Sequence, residues 1–359
     1  MVNDWPNKKA VAYYDSKGKL RTYKYKQLKA NTYEIAANLN KLTSDKPKNV
    51  PFVLKLSNGP HWPETFWAIF MCGYKPLLID VRTSKEGAQN LIDQSKAVGI
   101  ITDDSYDYSV SKFALTDLFK DGKDVDTSFT PNWENKVIFC SSGTTGDVKL
   151  MIYNGDNIIH QLSAMRDVKE ESKDIGYPEC QGKTNILAAL PFHHIFGFVA
   201  VLLWYAYFGK CLVYPRSLAP SDIQQICQKV GITHIYCVPL FWDSTVQALE
   251  RKQALETPAK QEIIMKMIDY NNGKISKGDA GKGALKVAKN VVQNALFGNN
   301  VSYCISGGGY LNSHTAEVIN GIGYPLYNGF GMTEIGVTSV ELSPNVEDRL
   351  KLSIGKQFY

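Results

Sequence analysis

The sequence predicts an α/β fold of two lobes, each built on a mainly parallel β-sheet flanked by helices. Short apolar runs typical of buried strands alternate with segments of helical periodicity, a pattern that indicates βαβ units. Several runs end at glycine or polar loops, and ligands of open α/β sheets bind beyond the carboxyl ends of strands. At 359 residues the chain exceeds one average domain, so we expect approximate lobes at 1–178 and 179–359.

The first half contains regularly alternating helix and strand signals. Apolar residues at helical spacing mark helices, and short continuous apolar runs mark buried strands. The predicted elements are a helix at 28–42, a strand at 50–56, a helix at 62–72 that ends at Gly73, and strands at 76–80, 98–102 and 137–140.

The second half continues the pattern, with a helical insert at about 245–297. The most apolar stretch, 195–209, is shorter than the ~20 residues that a membrane span requires, so a buried helix is predicted there. The Gly- and Lys-rich stretch 271–283 is predicted to be an exposed loop between two helices of the insert, with a membrane- or partner-binding surface as the alternative. Strands are predicted at 186–191, 211–215, 234–238 and 301–306.

Composition limits the class of protein. An apolar fraction of 44% can form a full core, and a charged fraction of 21% argues against global disorder. The net charge of +5 is mild and the lysines are dispersed, so we expect no nucleic-acid partner. Seven cysteines without a Cys-x-x-Cys pair favour reduced thiols in a cytoplasmic protein over disulfides or zinc. Membrane contact is expected to be peripheral at most.

The segment from Ser141 to Lys149 is the most informative one for function. It reads Ser-Ser-Gly-Thr-Thr-Gly-Asp-Val-Lys and follows the predicted strand at 137–140. Glycines let backbone N–H groups approach anionic oxygens, hydroxyls add short donors, and lysine adds a positive charge. Its spacing differs from that of a Walker A loop. A phosphate-binding loop is therefore predicted, with a plain surface turn as the alternative.

Four segments, in this order, resemble the motifs of the adenylate-forming (AMP-binding) superfamily, which includes acyl-CoA synthetases, peptide-synthetase adenylation domains and luciferases. Residues 141–149 resemble Ser/Thr-Ser-Gly-Thr-Thr-Gly-x-Pro-Lys-Gly, and 190–197 are similar to Leu-Pro-x-x-His-x-x-Gly. Residues 305–311 resemble Ser-Gly-Gly-Ala-Pro-Leu, and 328–334 resemble Gly-Tyr-Gly-x-Thr-Glu. The segment at 238–242 and the insert after it most resemble the long-chain fatty acyl-CoA synthetase branch.

The resemblance implies the large N-terminal domain of such an enzyme. Because the sequence ends soon after the Thr-Glu segment, we expect a truncated large domain at 1–359 without the family's small C-terminal domain. We expect this fragment to be catalytically incomplete. Val148, Leu150 and Tyr310 replace the family's Pro, Gly and Pro, so two of the loops can differ in shape.

The resemblance also implies ATP and Mg²⁺ as cofactors. Thr333 would bind the α-phosphate and Glu334 would hold Mg²⁺, and both would act in catalysis together with Lys149 and His194. Gly307 to Gly309 would lie against adenine, with Phe330 stacking on its other face. Residues expected to contact the nucleotide are Ser141, Ser142, Gly143, Thr144, Thr145, Gly146, Gly307, Gly308, Gly309, Asn328, Gly329, Phe330, Gly331 and Met332.

Structural alternatives exist for several of these residues. Thr333 and Glu334 could instead start a helix, and the three glycines could form only a tight turn. His194, which the resemblance places between the acyl carboxylate and the thiol channel, could be a helix-start histidine. His193 and His194 could suggest a metal site, but the sequence shows no Cys or acidic partner nearby at ligand spacing.

Residues 184–215 contain no Asp or Glu. Amino-acid-activating relatives place a carboxylate there to pair the substrate ammonium, and an unpaired buried ammonium is costly. We therefore expect a substrate with an uncharged, fatty acyl tail, which is activated to acyl-AMP and transferred to coenzyme A. Two alternatives remain: a ligase that loads carrier-protein phosphopantetheine, and a non-catalytic nucleotide-binding scaffold.

Overall fold

The chain forms two compact units. A computed structural model describes residues 2–120, 129–141, 148–171, 184–280 and 282–358. For residues 165–171, 277, 280 and 282–284 it describes the backbone only. The first unit comprises Met1–Leu162 and Pro191–Gly209, and the second comprises Ser163–Leu190 and Lys210–Tyr359.

Strands and helices alternate along most of the described chain. The strands are β1 Lys9–Tyr14, β2 Leu20–Lys24, β3 Pro51–Lys55, β4 Lys75–Leu78, β5 Gly99–Thr102, β6 Ser111–Phe113, β7 Lys136–Ser141, β8 Lys149–Asn154, β9 Asn185–Leu187, β10 Cys211–Val213, β11 His234–Cys237, β12 Tyr303–Ser306, β13 Leu326–Met332, β14 Gly336–Val340 and β15 Lys356–Gln357. The helices are α1 Tyr25–Leu42, α2 Trp62–Met71, α3 Lys85–Ser95, α4 Leu115–Leu118, α5 Gly155–Glu171, a π-helix Gly197–Leu203, α6 Trp204–Tyr207, α7 Pro220–Val230, α8 Pro239–Gln253, α9 Pro258–Asn271, α10 Lys277–Ala280, α11 Lys282–Asn294, α12 Ser313–Gly321 and α13 Val346–Leu350.

The first unit contains a sheet in the order β6-β5-β3-β4-β7-β8. Its strands are parallel except for β8, which runs antiparallel to β7. Its central strands are almost wholly apolar because helices cover both faces of a parallel sheet. Val53, Leu77, Ile100 and Ile138 from neighbouring strands form one buried cluster with Ile92 of α3.

The predicted buried helix in the 195–209 stretch is confirmed, and part of it is a π-helix whose residues are all buried. Phe198 packs edge-to-face on Phe66 of α2 at 5.0 Å and on Phe139 of β7 at 5.2 Å between ring centroids. These aromatic contacts fix the helix against the sheet of the first unit. No helix among the described residues is both long enough and apolar enough to cross a membrane.

In the second unit the strands lie in the order β15-β14-β13-β12-β11-β9-β10. The strands from β10 to β13 are parallel, and β13, β14 and β15 pair antiparallel. Asn320 at the end of α12 positions the start of β13, because its Oδ1 accepts the backbone N–H of Leu326 at 3.1 Å. Tyr303 and Tyr327 stack at 4.7 Å between β12 and β13.

The predicted α/β class with parallel-dominated sheets is confirmed. Each predicted strand is present, although several are shorter at their ends, such as β9 at Asn185–Leu187. The stretch 271–283 differs from the predicted loop, because it contains the short helix α10. The antiparallel strands β8, β14 and β15 were not predicted, because their short, mixed sequences carry weak apolar patterns.

Candidate active site

A pocket of about 570 Å³ lies in the second unit, beside the loop that follows β12. Two sequence segments predicted to contact a nucleotide, 308–309 and 328–332, meet at this pocket. Gly307 is not part of its lining, and its N–H group donates to the carbonyl of Cys237 at 3.2 Å. The lining residues are Gly308, Gly309, Tyr310, Leu311, Asn328, Gly329, Phe330, Gly331, Met332, Leu352 and Ile354.

The loop after β12 requires glycine at one position. Gly308 has a φ of +80°, a left-handed conformation that is strained for residues with a side chain. Gly309 is not required in the same way, since a Cβ added there would lie 3.5 Å from Pro239, an ordinary van der Waals distance. The glycines therefore form a tight turn and also expose backbone to the pocket, so the two interpretations of this segment are compatible.

A β-hairpin forms the other side of the pocket. β13 and β14 pair antiparallel, with Met332 opposite Gly336, so residues 333–335 form the turn between them. The alternative that Thr333 and Glu334 start a helix is therefore wrong. A Cβ on Gly331 would lie 2.6 Å from the carbonyl oxygen of Gly336, so this close approach of two strands requires glycine.

Glu334 lies at the tip of this hairpin turn and is exposed. Within the described part of the chain, no hydrogen-bonding or ion-pair partner engages its carboxylate. Neither Thr333 nor Glu334 is part of the pocket lining, but both follow Met332 directly in sequence. An exposed carboxylate next to a pocket is chemically able to bind a hard cation such as Mg²⁺.

Asn328 supports the wall of the pocket. Its Nδ2 donates a 2.8 Å hydrogen bond to the carbonyl of Leu352, and its own carbonyl accepts the N–H of Glu341 at 2.8 Å. Leu352 has a φ of +58°, which is uncommon for a residue other than glycine. The Asn328 amide thus holds a strained turn in place at the edge of the pocket.

The predicted phosphate loop connects β7 to β8. Ser142, Gly143, Thr144, Thr145 and Gly146 lie outside the described residues. The hairpin pairs Ser141 directly with Lys149 at the base of the loop. The Oγ atom of Ser141 is buried without a hydrogen-bond partner among the described residues, whereas Lys149 is exposed.

His193 and His194 lie in a turn of the first unit, just before the helical stretch that contains the π-helix. The centroids of their imidazole rings are 4.3 Å apart. The fold brings an acidic residue to them, because Oδ2 of Asp80 lies 3.4 Å from Nε2 of His193. This corrects the expectation that no acidic partner is nearby: Asp80 is distant in sequence but adjacent in the structure.

The charges of this cluster are set by burial and by Arg82. Burial, together with the charges of His194 and Arg82, lowers the pKa of His193 to about 4. Partial burial also lowers the pKa of the neighbouring His194. Partial burial alone would raise the pKa of Asp80, but hydrogen bonds from Arg82 lower it to about 2. At neutral pH the cluster therefore contains two neutral imidazoles and one carboxylate.

The model of the family described as AMP-binding enzyme matches residues 1–358 of this sequence. The chain belongs to the AMP-binding enzyme family. This match confirms the family that the four motifs indicated.

Individual proteins are similar to this chain over different lengths. Long-chain-fatty-acid–CoA ligase 2 of Schizosaccharomyces pombe is 27% identical over 209 residues, which are 57% of this chain and 29% of that protein. The solved structure of o-succinylbenzoate CoA synthetase of Bacillus subtilis with the acyl-adenylate OSB-AMP gives a TM-score of 0.72 at 19% identity, covering 99% of this chain and 62% of that one. The same enzyme in complex with ATP and magnesium ion gives a TM-score of 0.70 at 18% identity, covering 99% and 63%. These structures share the fold.

Three residues of this AMP-binding chain that the motifs did not indicate lie at the two sites. Leu352 and Ile354 line the pocket, and Asp80 joins the histidine pair. Leu352 and Ile354 are ordinary apolar residues near a weak strand, so nothing in the sequence marked them. Asp80 is the last residue of the predicted strand at 76–80, and its position at the carboxyl end of that strand was the available signal.

Proposed function

We propose that the protein activates a fatty carboxylic acid with ATP, forming acyl-AMP and pyrophosphate, and then transfers the acyl group to coenzyme A. The pocket lined by Gly308, Gly309 and Phe330 carries this proposal. Its volume of about 570 Å³ lies within the range of small-molecule sites, roughly 300–1,000 Å³.

The chemistry of this pocket suits a purine base. Backbone at Gly308 and Gly309 offers a flat surface free of side chains, and Phe330 offers an aromatic face that is 43% exposed. An aromatic ring stacked on a base contributes about 1–3 kcal/mol in nucleic-acid complexes. Phe330 has no hydroxyl, so recognition here would rest on stacking and on backbone groups.

The reaction joins two anions, since a carboxylate oxygen attacks the α-phosphorus of ATP and pyrophosphate leaves. The protein must therefore neutralise charge and hold the partners in line. Lys149 and the buried hydroxyl of Ser141 stand at the base of the proposed phosphate loop, where they would contact the β- and γ-phosphates. A buried hydroxyl without a protein partner is the kind of group that a ligand oxygen can satisfy.

Magnesium is the cofactor that this arrangement would use. Glu334 would hold it, since its carboxylate is exposed and unpaired within the described residues and Mg²⁺ prefers oxygen ligands. The ion supplies positive charge that offsets the charge on the phosphates. Thr333, beside it in the turn, would donate to an α-phosphate oxygen, and His194 would contact the acyl carboxylate.

An uncharged acyl tail fits the residues around His194. The 197–203 helix is entirely apolar and buried, and residues 184–215 supply no acid that could pair with a substrate ammonium. The fold adds Asp80 to this turn, but Arg82 already pairs with it at 2.7 Å. The fission-yeast relative, named as a long-chain-fatty-acid ligase, supports the same substrate class.

ATP–pyrophosphate exchange tests the proposal. The full-length protein is incubated with ATP, labelled pyrophosphate, Mg²⁺ and a panel of fatty, aryl and amino acids. We expect exchange with fatty acids and little with amino acids. ATP binding without exchange for any acid would instead support the scaffold alternative. Product analysis with coenzyme A and with a phosphopantetheine carrier then identifies the acceptor.

A further inference from the structure

We propose that Asp80, His193 and His194 form a binding site for a divalent transition-metal ion of the zinc type in the first unit. This site is distinct from the Mg²⁺ site proposed at Glu334, and it shares His194 with the proposed acyl site. One donor atom from each of the three residues lies within 4.8 Å of the others.

The side chains of Asp80 and His193 face each other at a distance that suits two metal ligands. Their Oδ2 and Nε2 atoms are 3.4 Å apart, longer than the usual 2.9 Å of a hydrogen bond. Two ligands that each lie about 2.1 Å from a tetrahedral zinc ion are themselves about 3.4 Å apart. The pair is therefore spaced as two ligands of one ion rather than as donor and acceptor.

His193 also supplies a nitrogen that has no hydrogen-bond partner among the described residues. This side chain is 8% exposed, and its Nε2 is buried without a hydrogen-bond partner among the described residues. An unpaired buried polar atom costs about 1–3 kcal/mol unless something satisfies it. A metal ion between His193 and Asp80 would satisfy that nitrogen.

The donor set has the chemistry that such an ion needs. Two imidazole nitrogens and one carboxylate oxygen, with water as a fourth ligand, form a common zinc coordination sphere. Imidazole suits zinc, copper, iron and nickel, whereas Mg²⁺ prefers oxygen ligands. His194 is exposed, so its ring can move toward the ion, and its exposure gives the ion a path from solvent.

Arg82 opposes the ion electrostatically. Its Nη2 donates to Asp80 Oδ2 at 2.7 Å, and its backbone N–H donates to Oδ1 at 2.8 Å. The guanidinium is mostly exposed, so it can withdraw, while the backbone bond still orients the carboxylate. Removal of the Arg82 side chain should therefore strengthen metal binding, an effect opposite to that of removing a ligand.

The test is a zinc titration of the full-length protein after treatment with a chelator. Cys180, which lies outside the described residues, is changed to Ser in every variant to remove one possible thiol ligand. Competition with a chromophoric chelator gives the zinc affinity, and Co²⁺ substitution gives a visible spectrum that reports coordination number. Circular dichroism and thermal melting establish that each variant is folded.

We expect one zinc ion per chain, with a Co²⁺ spectrum typical of four-coordination. His193→Ala, Asp80→Asn and the less disruptive His194→Ala should each weaken zinc binding roughly tenfold or more. Arg82→Ala should strengthen it. His160→Ala, which removes an exposed histidine of α5, is the matched control and should leave the affinity unchanged. A millimolar excess of Mg²⁺ should not displace zinc.

Two results would overturn the proposal. One is no zinc binding at micromolar concentration by the folded protein. The other is equal zinc affinity in the unmodified protein, His194→Ala and His160→Ala, which would place any bound zinc elsewhere on the surface. If His193→Ala fails to fold, His194→Ala and Arg82→Ala still decide the question, because they are predicted to change affinity in opposite directions.

Discussion

The side-chain amide of Asn328 donates a 2.8 Å hydrogen bond to the carbonyl of Leu352. This bond joins strand β13 to the turn after α13, where Leu352 has a left-handed conformation. Both residues line the same pocket. Asn328 lies in the segment 328–334, for which the sequence predicts nucleotide contacts, and this hydrogen bond gives it a structural role before any ligand binds.

Asn328→Ala should destabilise the ligand-free protein by about 1 kcal/mol, because one hydrogen bond is lost and a strained turn loses its support. Nucleotide affinity should fall as well. Denaturant unfolding followed by ATP titration measures both quantities. A loss of affinity with unchanged stability would show that Asn328 acts only on the ligand and does not brace Leu352.

Gly331→Ala should destabilise the second unit by roughly 1–3 kcal/mol, since its new methyl group would press on the backbone at Gly336. The hairpin that carries Glu334 should shift, and ATP binding should weaken. Gly155→Ala is the matched control, because a Cβ there would meet its nearest atoms at 3.9 Å. Equal melting temperatures for both variants would contradict the close approach of β13 and β14.

Phe330→Ala should weaken binding of ATP and AMP about tenfold or more, because a stacked base loses about 1–3 kcal/mol with its aromatic partner. Phe330→Tyr keeps the ring and should bind within a few-fold of the unmodified protein. Fluorescence titration with a labelled nucleotide makes this comparison. Unchanged affinity in Phe330→Ala would remove the stacking role.

Glu334→Gln should abolish the Mg²⁺ dependence of ATP binding while leaving the weaker metal-free binding intact. The amide keeps the shape of the side chain but removes the charge that would attract the ion. Isothermal titration with ATP at several Mg²⁺ concentrations reports the change. A normal Mg²⁺ response in the folded variant would show that another residue holds the ion.

The buried histidine should make folding stability depend on pH. Because the pKa of His193 is lowered to about 4, the unfolded chain binds a proton there at higher pH than the folded chain does. Stability from this group is therefore complete above the ordinary pKa of about 6.5 and falls as the pH drops toward 4. Asp80 loses its contribution only nearer pH 2.

His193→Gln provides the comparison. Between pH 7 and pH 5 the unmodified protein should lose about 2 kcal/mol more unfolding free energy than this variant. Chemical denaturation at each pH, without added metal, gives the two curves. Parallel curves would mean that His193 is protonated as easily in the folded state as in the unfolded state.

The sequence predicted the elements whose apolar pattern is continuous. Buried runs such as 98–102 in the parallel sheet have to be apolar on both faces, so they were readable without a structure. The hairpin at 326–340 was not readable, because Asn328, Gly329 and Gly331 interrupt its apolar pattern. Those residues shape the hairpin and line the pocket. Functional sites are the places where local sequence preference most often departs from the element that the fold requires.

The candidate site likewise contains residues that a local sequence pattern marks and residues that only the tertiary fold brings there. Glycines and hydroxyls at fixed spacing predicted a phosphate loop at 141–149, and glycine-rich segments predicted several of the residues that line the pocket. Leu352 and Asp80 were missed, because their roles come from strand order and hydrogen bonding between residues far apart in the chain. Leu352 carries no local signature, and the only sequence signal for Asp80 was its position at the carboxyl end of a predicted strand.

Photoaffinity labelling with an azido-adenine analogue of ATP tests the central claim most directly, since that claim is that the pocket around Phe330 binds adenine. We expect saturable, Mg²⁺-dependent labelling that excess ATP prevents, with the label on peptides that contain residues 308–311 or 328–332. Labelling confined to other peptides, with none at these segments, would contradict the account.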